Sequence, residues 1–254
     1  ILHFQAGTDS NLIEKKLKIL ILGGSQAAKI FAEKLPEIFK NCKEAKINEP
    51  SFQDRIYREL RQKIMLGDLT PGQSLTLRGV AESYEVSMTP AREVLRRLAA
   101  EGALIVTNTG RFMTPILSND RLEELAALRG LLEPEIAARA LPRAHLTLID
   151  RLQLINSRIS QAVIQKEPIS YVQANLEFHR SLYLRAQAPA ILALVENIWL
   201  QIGPTMRNLY EKVGVNETPV HHLSILAALK SGNESELRLM VRTDVTKGLR
   251  MLTR

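Results

Sequence analysis

The side chains with the clearest chemical potential are an amide and an imidazole four residues apart, Asn175 and His179. On an α-helix, residues at this spacing lie on one face, which is a common arrangement of metal ligands. No nucleophile elbow, P-loop or HExxH pattern occurs in the sequence, and nothing marks a general base beside a metal. Because histidines on amphipathic helices are more often hydrogen-bonded core or surface groups, a ligand role and a structural role both stay open.

The second feature is a helix rich in arginine, whose apolar stripe and capping residues indicate where it begins and ends. Between Val86 and Leu104 the apolar side chains form one helical stripe: Val94, Leu95, Leu98 and Ala99. Three basic side chains lie off that stripe: Arg92, Arg96 and Arg97. Ser87 is a good N-cap, Pro90 is tolerated in the first turn, and Gly102 can close the C-terminal end. The stretch predicts a helix of about four turns with arginines on its solvent side.

The elements around this helix predict a winged helix-turn-helix. An earlier helix has apolar residues at helical spacing: Phe52, Ile56, Leu60 and Ile64. A short second helix has four candidate core residues: Leu75, Val80, Ala81 and Tyr84. A turn joins it to the arginine-rich helix, whose N-terminal end would enter the DNA major groove. After Gly102, two short strands around the turn Asn108-Thr109-Gly110 predict a β-wing.

Composition bounds the class of protein. At 254 residues, the chain has room for two domains that each bury a core. With 45% hydrophobic and 24% charged residues it is an ordinary globular protein, and its formal charge of +7 permits a nucleic-acid partner without demonstrating one. The single cysteine, Cys42, excludes an internal disulfide and suits a reducing cytoplasm. No apolar run approaches the roughly 20 residues that span a bilayer, so we expect a cytoplasmic protein without a membrane partner.

Residues 52–116 resemble the DNA-binding domain of the GntR family of bacterial regulators. Three segments carry the resemblance in the family's spacing: Leu66–Gly72, Val86–Glu93 and Leu98–Gly102. The resemblance implies DNA contacts from residue types that suit guanine, phosphate or the minor groove: Arg78, Thr89, Arg92 and Gly110. We add Arg96, although Arg96 or Arg97 can also be a solvated surface residue. Met88 stands where the family usually has an arginine that contacts DNA, so operator sequence or affinity is expected to depart from the family norm.

Beyond a linker at 114–119 the sequence predicts helices only. Apolar periodicity and the proline and glycine breaks indicate an all-α bundle of six or seven helices: about 121–140, 146–165, 168–187, 189–211, 219–231 and 233–253. This region resembles the FCD ligand-binding domain of the FadR branch of GntR regulators. Four segments carry that resemblance: Leu128–Glu133, Asn175–His179, His222–Leu226 and Gly232–Asp244.

The FCD resemblance implies a divalent metal held at four positions: Asn175, His179, His222 and Asp244. The two histidines match the family, whereas Asn175 replaces an acid and Asp244 replaces a histidine. Two imidazoles, a carboxylate and an amide oxygen suit zinc, nickel or manganese and leave positions open for an effector carboxylate. Because an amide is a weaker donor, we expect lower metal affinity. Without a metal, the same polar cluster would line a pocket for a small organic acid.

Arg129 has two interpretations in this domain. It can bind the effector carboxylate through two N–H groups, or it can pair with Glu133 one turn later. We keep Arg129 as a candidate effector-binding residue. His221 points about 100° away from His222 on a helix and is assigned no role.

Residues 1–50 belong to neither pattern. Lys18–Gln26 predicts a buried strand that runs into a glycine turn, and Ala27–Phe39 predicts a helix, an arrangement that can hold phosphate through backbone amides. Residues 13–48 are similar to the loop that opens the C-terminal half of MurG-type N-acetylglucosaminyl transferases. The resemblance ends there, whereas a doubly wound sheet needs several more βαβ units. We interpret the segment as an appended arm or fusion remnant.

The sequence therefore predicts a mainly α protein with an appended segment (1–50), a winged helix-turn-helix (51–118) and an all-α FCD-like domain (119–254). The leading hypothesis is a transcription regulator, not an enzyme, that binds a palindromic operator in double-stranded DNA as a homodimer. A small carboxylate, with or without a metal, would bias the two winged heads and change operator affinity. The alternatives are a metal-dependent hydrolase at His179 and His222 or a nucleotide-sugar transferase at the N-terminal loop.

Overall fold

The computed structural model describes residues 51–213 and 220–252 of the chain. The strand, glycine loop and helix predicted within residues 1–50 lie outside this range. Within it, a winged helix-turn-helix precedes a bundle of long α-helices, which confirms the predicted mainly α fold. None of the helices in the described ranges is long and apolar enough to cross a bilayer.

The winged helix-turn-helix combines short helices with a small sheet. Its elements are α1 (Phe52–Met65), β1 (Ser74–Leu75), α2 (Leu77–Ser83), α3 (Met88–Ala100), β2 (Ile105–Val106) and β3 (Phe112–Met113). The sheet order is β1-β3-β2, and both pairs are antiparallel, so that Leu75 and Val106 flank Phe112 from opposite sides. β2, β3 and the turn between them form the predicted wing.

Three predicted core residues lie elsewhere than predicted: Leu75, Phe52 and Tyr84, the last of which is the half-buried C-cap residue of α2. Leu75 is in β1 rather than in the second helix, because the hydroxyl of Thr76 accepts a hydrogen bond from the Gly79 N–H and starts α2 after it. Phe52, the first residue of α1, is 52% exposed, since it lies one turn before the buried stripe of that helix. The remaining predicted core positions of α1 are buried.

α3 begins and ends where its sequence indicates. Ser87 is the N-cap residue, although its side chain makes no capping hydrogen bond. At the other end, Gly102 has a φ of +75°, in the left-handed region that glycine adopts most readily. The amides of Gly102 and Ala103 donate to the carbonyls of Ala99 and Leu98, which closes the last turn.

The helical bundle follows the predicted breaks closely. Its helices are α4 (Asn119–Ala140), α5 (Leu146–Gln165), α6 (Pro168–Tyr183), α7 (Pro189–Val213), α8 (Val220–Ser231) and α9 (Glu234–Leu252). Pro168 and Pro189 each occupy the first position of a helix, where the missing N–H has no intrahelical role. α6 is shorter than predicted because a 3₁₀ turn, Leu184–Ala186, follows it.

Two hydrophobic clusters lie within the described residues, one in the winged helix-turn-helix and one in the bundle. They meet at α7, because Leu200 of α7 belongs to the winged-helix cluster and Met65 of α1 packs against both. Gly203 makes the closest approach: a Cβ at this position would lie 2.2 Å from the carbonyl oxygen of Ile64. The described residues from Phe52 onward accordingly form a single compact unit.

Candidate functional site

Three polar side chains from three helices of the bundle converge: His179 on α6, His222 on α8 and Asp244 on α9. Their candidate ligand atoms all lie within 4.8 Å of one another. Nε2 of His179 is 3.1 Å from Oδ2 of Asp244 and 3.4 Å from Nε2 of His222. Both imidazoles are buried. Asn175 is half-buried one turn before His179 on α6, and its part in the cluster stays a prediction.

The hydrogen bonds behind the two imidazoles determine where their protons lie. Tyr183 donates its one hydroxyl proton to Glu133 at 2.9 Å, so its oxygen can only accept from Nδ1 of His179, 3.1 Å away. The amide oxygen of Asn156, 3.2 Å from Nδ1 of His222, is likewise an acceptor only. Each imidazole, when neutral, therefore presents a bare Nε2 lone pair to the carboxylate of the cluster. Three electron-rich atoms that face one another require a proton or a cation between them.

Burial sets the charge of these groups. It lowers the pKa of His222 to about 4, so this imidazole is neutral near pH 7. Burial alone would raise the pKa of Asp244, but a proton carried by the neighbouring imidazoles, together with the positive charge of Arg129, outweighs burial and holds this pKa well below its ordinary value. A neutral imidazole beside an ionised carboxylate is a donor set that divalent cations bind.

A buried carboxylate on α4 organises the wall behind His179. Glu133 accepts hydrogen bonds from the Nε and Nη2 of Arg129, from the indole N–H of Trp199 at 3.0 Å, and from the Tyr183 hydroxyl. Arg129 is itself buried, so its guanidinium forms an internal ion pair with Glu133. Of the two interpretations of Arg129, the structure contains the ion pair.

Besides Glu133, which the sequence suggested only as a partner of Arg129, three side chains of this network are not among the predicted site residues. Tyr183 lies one turn after His179 on α6, so helical spacing offers a way to find it. Asn156 on α5 and Trp199 on α7 come from other helices, and no local spacing connects them to the cluster. Both are buried polar groups whose partners become visible only once the helices pack.

The predicted DNA contacts lie on the surface of the winged helix-turn-helix. All five predicted positions are exposed: Arg78, Thr89, Arg92, Arg96 and Gly110. The Arg78 side chain is 84% exposed, and its ion pair with the exposed Glu82 is of the kind that contributes little to stability. At the wing turn, Gly110 has a φ of +76° and nothing within 4 Å of where a Cβ would lie.

Arg97 differs from the other arginines of α3. Its guanidinium lies 3.6 Å from the centroid of the Tyr57 ring and pairs with Asp54 and Glu101. The Tyr57 hydroxyl also donates to Glu101. These contacts fasten α3 to α1, so Arg97 has a structural role inside its own domain.

One helix contacts both regions. Trp199 on α7 donates to Glu133 behind the polar cluster. Two residues earlier, the Asn197 amide donates at 3.1 Å to the carbonyl of Glu101, the C-cap residue of α3. Gly203 packs one turn further along, against the end of α1. α7 therefore links the wall of the cluster to the base of the arginine-rich helix.

An exposed cationic helix in a winged fold, joined to a helical domain with a buried polar cluster, defines a DNA-binding regulator with a separate ligand-binding domain. Residues 52–113 match the bacterial regulatory proteins of the gntR family, and residues 124–246 match the FCD domain. Over 199 residues the chain is 30% identical to the HTH-type transcriptional regulator McbR of Escherichia coli K12, covering 76% of this chain and 89% of that protein. The chain belongs to the GntR family of bacterial transcription regulators, which are not enzymes, and carries an FCD domain.

Other comparisons agree. The chain is 27% identical over 164 residues to the gluconate operon transcriptional repressor of Bacillus subtilis, covering 64% of this chain and 65% of that protein. The solved structure of E. coli McbR/YncC superposes with a TM-score of 0.72 at 26% identity, covering 80% of this chain and 97% of that one. A GntR regulator from Rhodococcus sp. RHA1 has a TM-score of 0.65 at 18% identity, covering 79% and 97%, and supports the fold alone.

Proposed function

We propose that a small organic-acid effector, held with a divalent metal in the helical domain, controls the affinity of this regulator for its operator. The geometry of the cluster carries the proposal, because the Nε2 atoms of two imidazoles, each with its Nδ1 beside a hydrogen-bond acceptor, converge with a carboxylate within 4.8 Å. A cation satisfies all three donors at once. A metal-dependent hydrolase is not favoured, since the similar proteins are regulators.

The residues present fit such an ion. His179, His222 and Asp244 would hold it, with Asn175 as a fourth donor from α6, and the set suits zinc, nickel or manganese. When bound, the ion would supply positive charge and open positions for an effector carboxylate. Arg129 uses Nε and Nη2 for Glu133, so its Nη1 is the group that would contact the effector.

On the DNA side, we assign Arg78, Thr89, Arg92, Arg96 and Gly110 to the operator contact. A single recognition helix covers only a few base pairs, so specific binding calls for two heads. We infer a homodimer on a palindromic operator, with half-sites one helical turn or a multiple of it apart. A bacterial regulator of this kind works in the cytoplasm, where the chromosome is.

α7 supports a structural route by which effector binding at the polar cluster would change the affinity of the winged helix-turn-helix for DNA. An effector that repositions Tyr183 or Glu133 would move the indole of Trp199, which hydrogen-bonds the same carboxylate. On the other side of α7, the amide of Asn197 donates a hydrogen bond to the carbonyl of Glu101 at the C-terminal end of α3. Differential contact of this kind is what allows one ligand to change the affinity for another.

The test uses the purified full chain. Elemental analysis and titration with Zn²⁺, Ni²⁺ and Mn²⁺ measure ion binding, with His222→Ala as the disrupting variant. His221→Ala is the matched control, because His221 lies next to His222 on α8 but outside the cluster. Binding of about one ion per chain should be lost in the first variant and kept in the second.

Operator affinity is then measured by fluorescence anisotropy with each ion, alone and with a panel of mono- and dicarboxylates. We expect at least one combination to change the affinity by five-fold or more. A wild-type chain that binds none of the ions, and whose operator affinity none of the combinations changes, would overturn the proposal.

A further inference from the structure

Met88 is an apolar side chain at the N-terminal end of α3. It is the first helical residue after the N-cap Ser87, and its side chain is 43% exposed. The structure describes all of residues 76–101, and Met88 is the one large hydrophobic residue among them that is exposed. Folding does not require it there, because the core of the domain is filled by the opposite face of the helix.

The position of Met88 on α3 indicates which part of the DNA it would contact. In a helix-turn-helix, residues at the N-terminal end of the second helix contact the edges of bases in the major groove. Thr89 follows Met88 directly, and Arg92 lies one turn later; both are exposed. Met88 is therefore flanked by the polar groups assigned to operator contact.

The chemistry of the methionine side chain indicates which base it can recognise in the major groove. A thioether has no N–H or O–H and is only a weak acceptor, so it cannot form the paired hydrogen bonds by which arginine selects guanine. The apolar feature of the major groove is the C5-methyl group of thymine. An unbranched side chain with three rotatable bonds can adapt to that surface.

We propose that Met88 selects a T·A pair at one position of each operator half-site by packing against the thymine methyl group. The inference rests on the operator contact and the two half-sites proposed above, and it is independent of any effector or metal. It names a specificity-determining residue, whereas Arg78 and Arg92 provide hydrogen bonds and charge.

The test begins with selection of high-affinity duplexes from a random library by the wild-type chain. Each thymine of the selected operator is then replaced by deoxyuridine, which removes only the methyl group. We expect one position per half-site at which the wild type binds about four-fold more weakly, the effect of one buried methyl group. Met88→Ala should bind the two duplexes equally, and Met88→Arg should select guanine at that position.

Thr89→Ser is the matched control, because it removes a neighbouring methyl group and keeps the hydroxyl. It should retain the sensitivity to deoxyuridine at the Met88 position. Thermal melting of each variant verifies folding, which an exposed residue should leave unchanged. Sensitivity that persists in Met88→Ala, disappears in Thr89→Ser, or is absent at every thymine in the wild type would each refute the proposal.

Discussion

In the winged helix-turn-helix the side chains proposed to bind DNA are exposed and weakly paired, whereas the polar cluster of the helical domain and the ion pair behind it are mostly buried. Arg78 reaches solvent beside Glu82, while Arg129 and Glu133 form an ion pair in the interior. A surface that must meet DNA cannot satisfy its own charges first. A pocket that holds a small ion or acid has to shield its charges within the protein. Substitutions should therefore affect binding first in the former region and folding first in the latter.

The largest expected effect would come from Glu133→Ala. It leaves the buried guanidinium of Arg129 without its partner and removes the acceptor of Tyr183 and Trp199, which should cost about 3–5 kcal/mol of unfolding free energy. Urea denaturation followed by circular dichroism measures this loss of unfolding free energy.

Glu135→Ala on the same helix is the control: its ion pairs with Arg139 and Arg238 are near the surface, so it should cost less than about 1 kcal/mol. Equal losses would contradict the contrast.

Arg92→Ala should show the opposite behaviour. Among the described residues no carboxylate pairs with Arg92, so its loss should leave the melting temperature unchanged. Operator affinity should fall about 5- to 150-fold, as expected for one base contact of about 1–3 kcal/mol. Arg97→Ala is the counterpart on the same helix, because it removes the contacts with Tyr57 and Asp54 and should lower the melting temperature. If Arg92→Ala destabilises the fold, exposure is not what distinguishes the two regions.

Gly203→Ala tests the boundary between the regions. Its methyl group would meet the Ile64 carbonyl at 2.2 Å, and backbone cannot rotate away, so we expect a loss of about 1–3 kcal/mol. Gly130→Ala provides the comparison, because its methyl group would meet the side-chain methyl of Thr246 at 2.9 Å. A side chain can adjust, so this variant should be milder. Thermal unfolding of both variants compares the two costs, and a harmless Gly203→Ala would show that the contact is not tight.

The smallest effect is a loss of stability in mild acid. Burial lowers the pKa of His222 to about 4, below the value of about 6.5 for an unfolded histidine. Between these values the unfolded chain binds the extra proton, so stability is full above pH 6.5 and is lost as the pH falls toward 4. At pH 5.5, in the presence of a chelator, this amounts to about 1 kcal/mol. His222→Phe should reduce the dependence, which thermal melts between pH 7.5 and 5 would detect.

The sequence predicts best those elements whose ends are determined locally. The cap at Ser87, the glycine at 102 and the prolines at 168 and 189 each act on their own turn of helix, so they are visible without tertiary structure. The FCD resemblance likewise indicated His179, His222 and Asp244, and the structure brings these three side chains together.

What the sequence does not reveal depends on pairing between distant segments. Leu75 fits the apolar pattern of the second helix in the sequence, but in the structure it lies in β1 and pairs with Phe112 of β3. Leu200 lies on a helix of the bundle yet fills the winged-helix core, and Asn156 orients His222 from another helix. These roles arise from the packing of α7 and α5, for which no periodicity in either segment provides a rule.

The origin of the cluster from α6, α8 and α9 has one more consequence. An ion held there would close long loops of the chain, and global unfolding would have to release it. Intracellular proteases degrade chains mainly from unfolded states, so occupancy would lengthen the lifetime of the protein. If the proposed ion binds there, the amount of this protein in a cell would therefore fall when that ion is scarce.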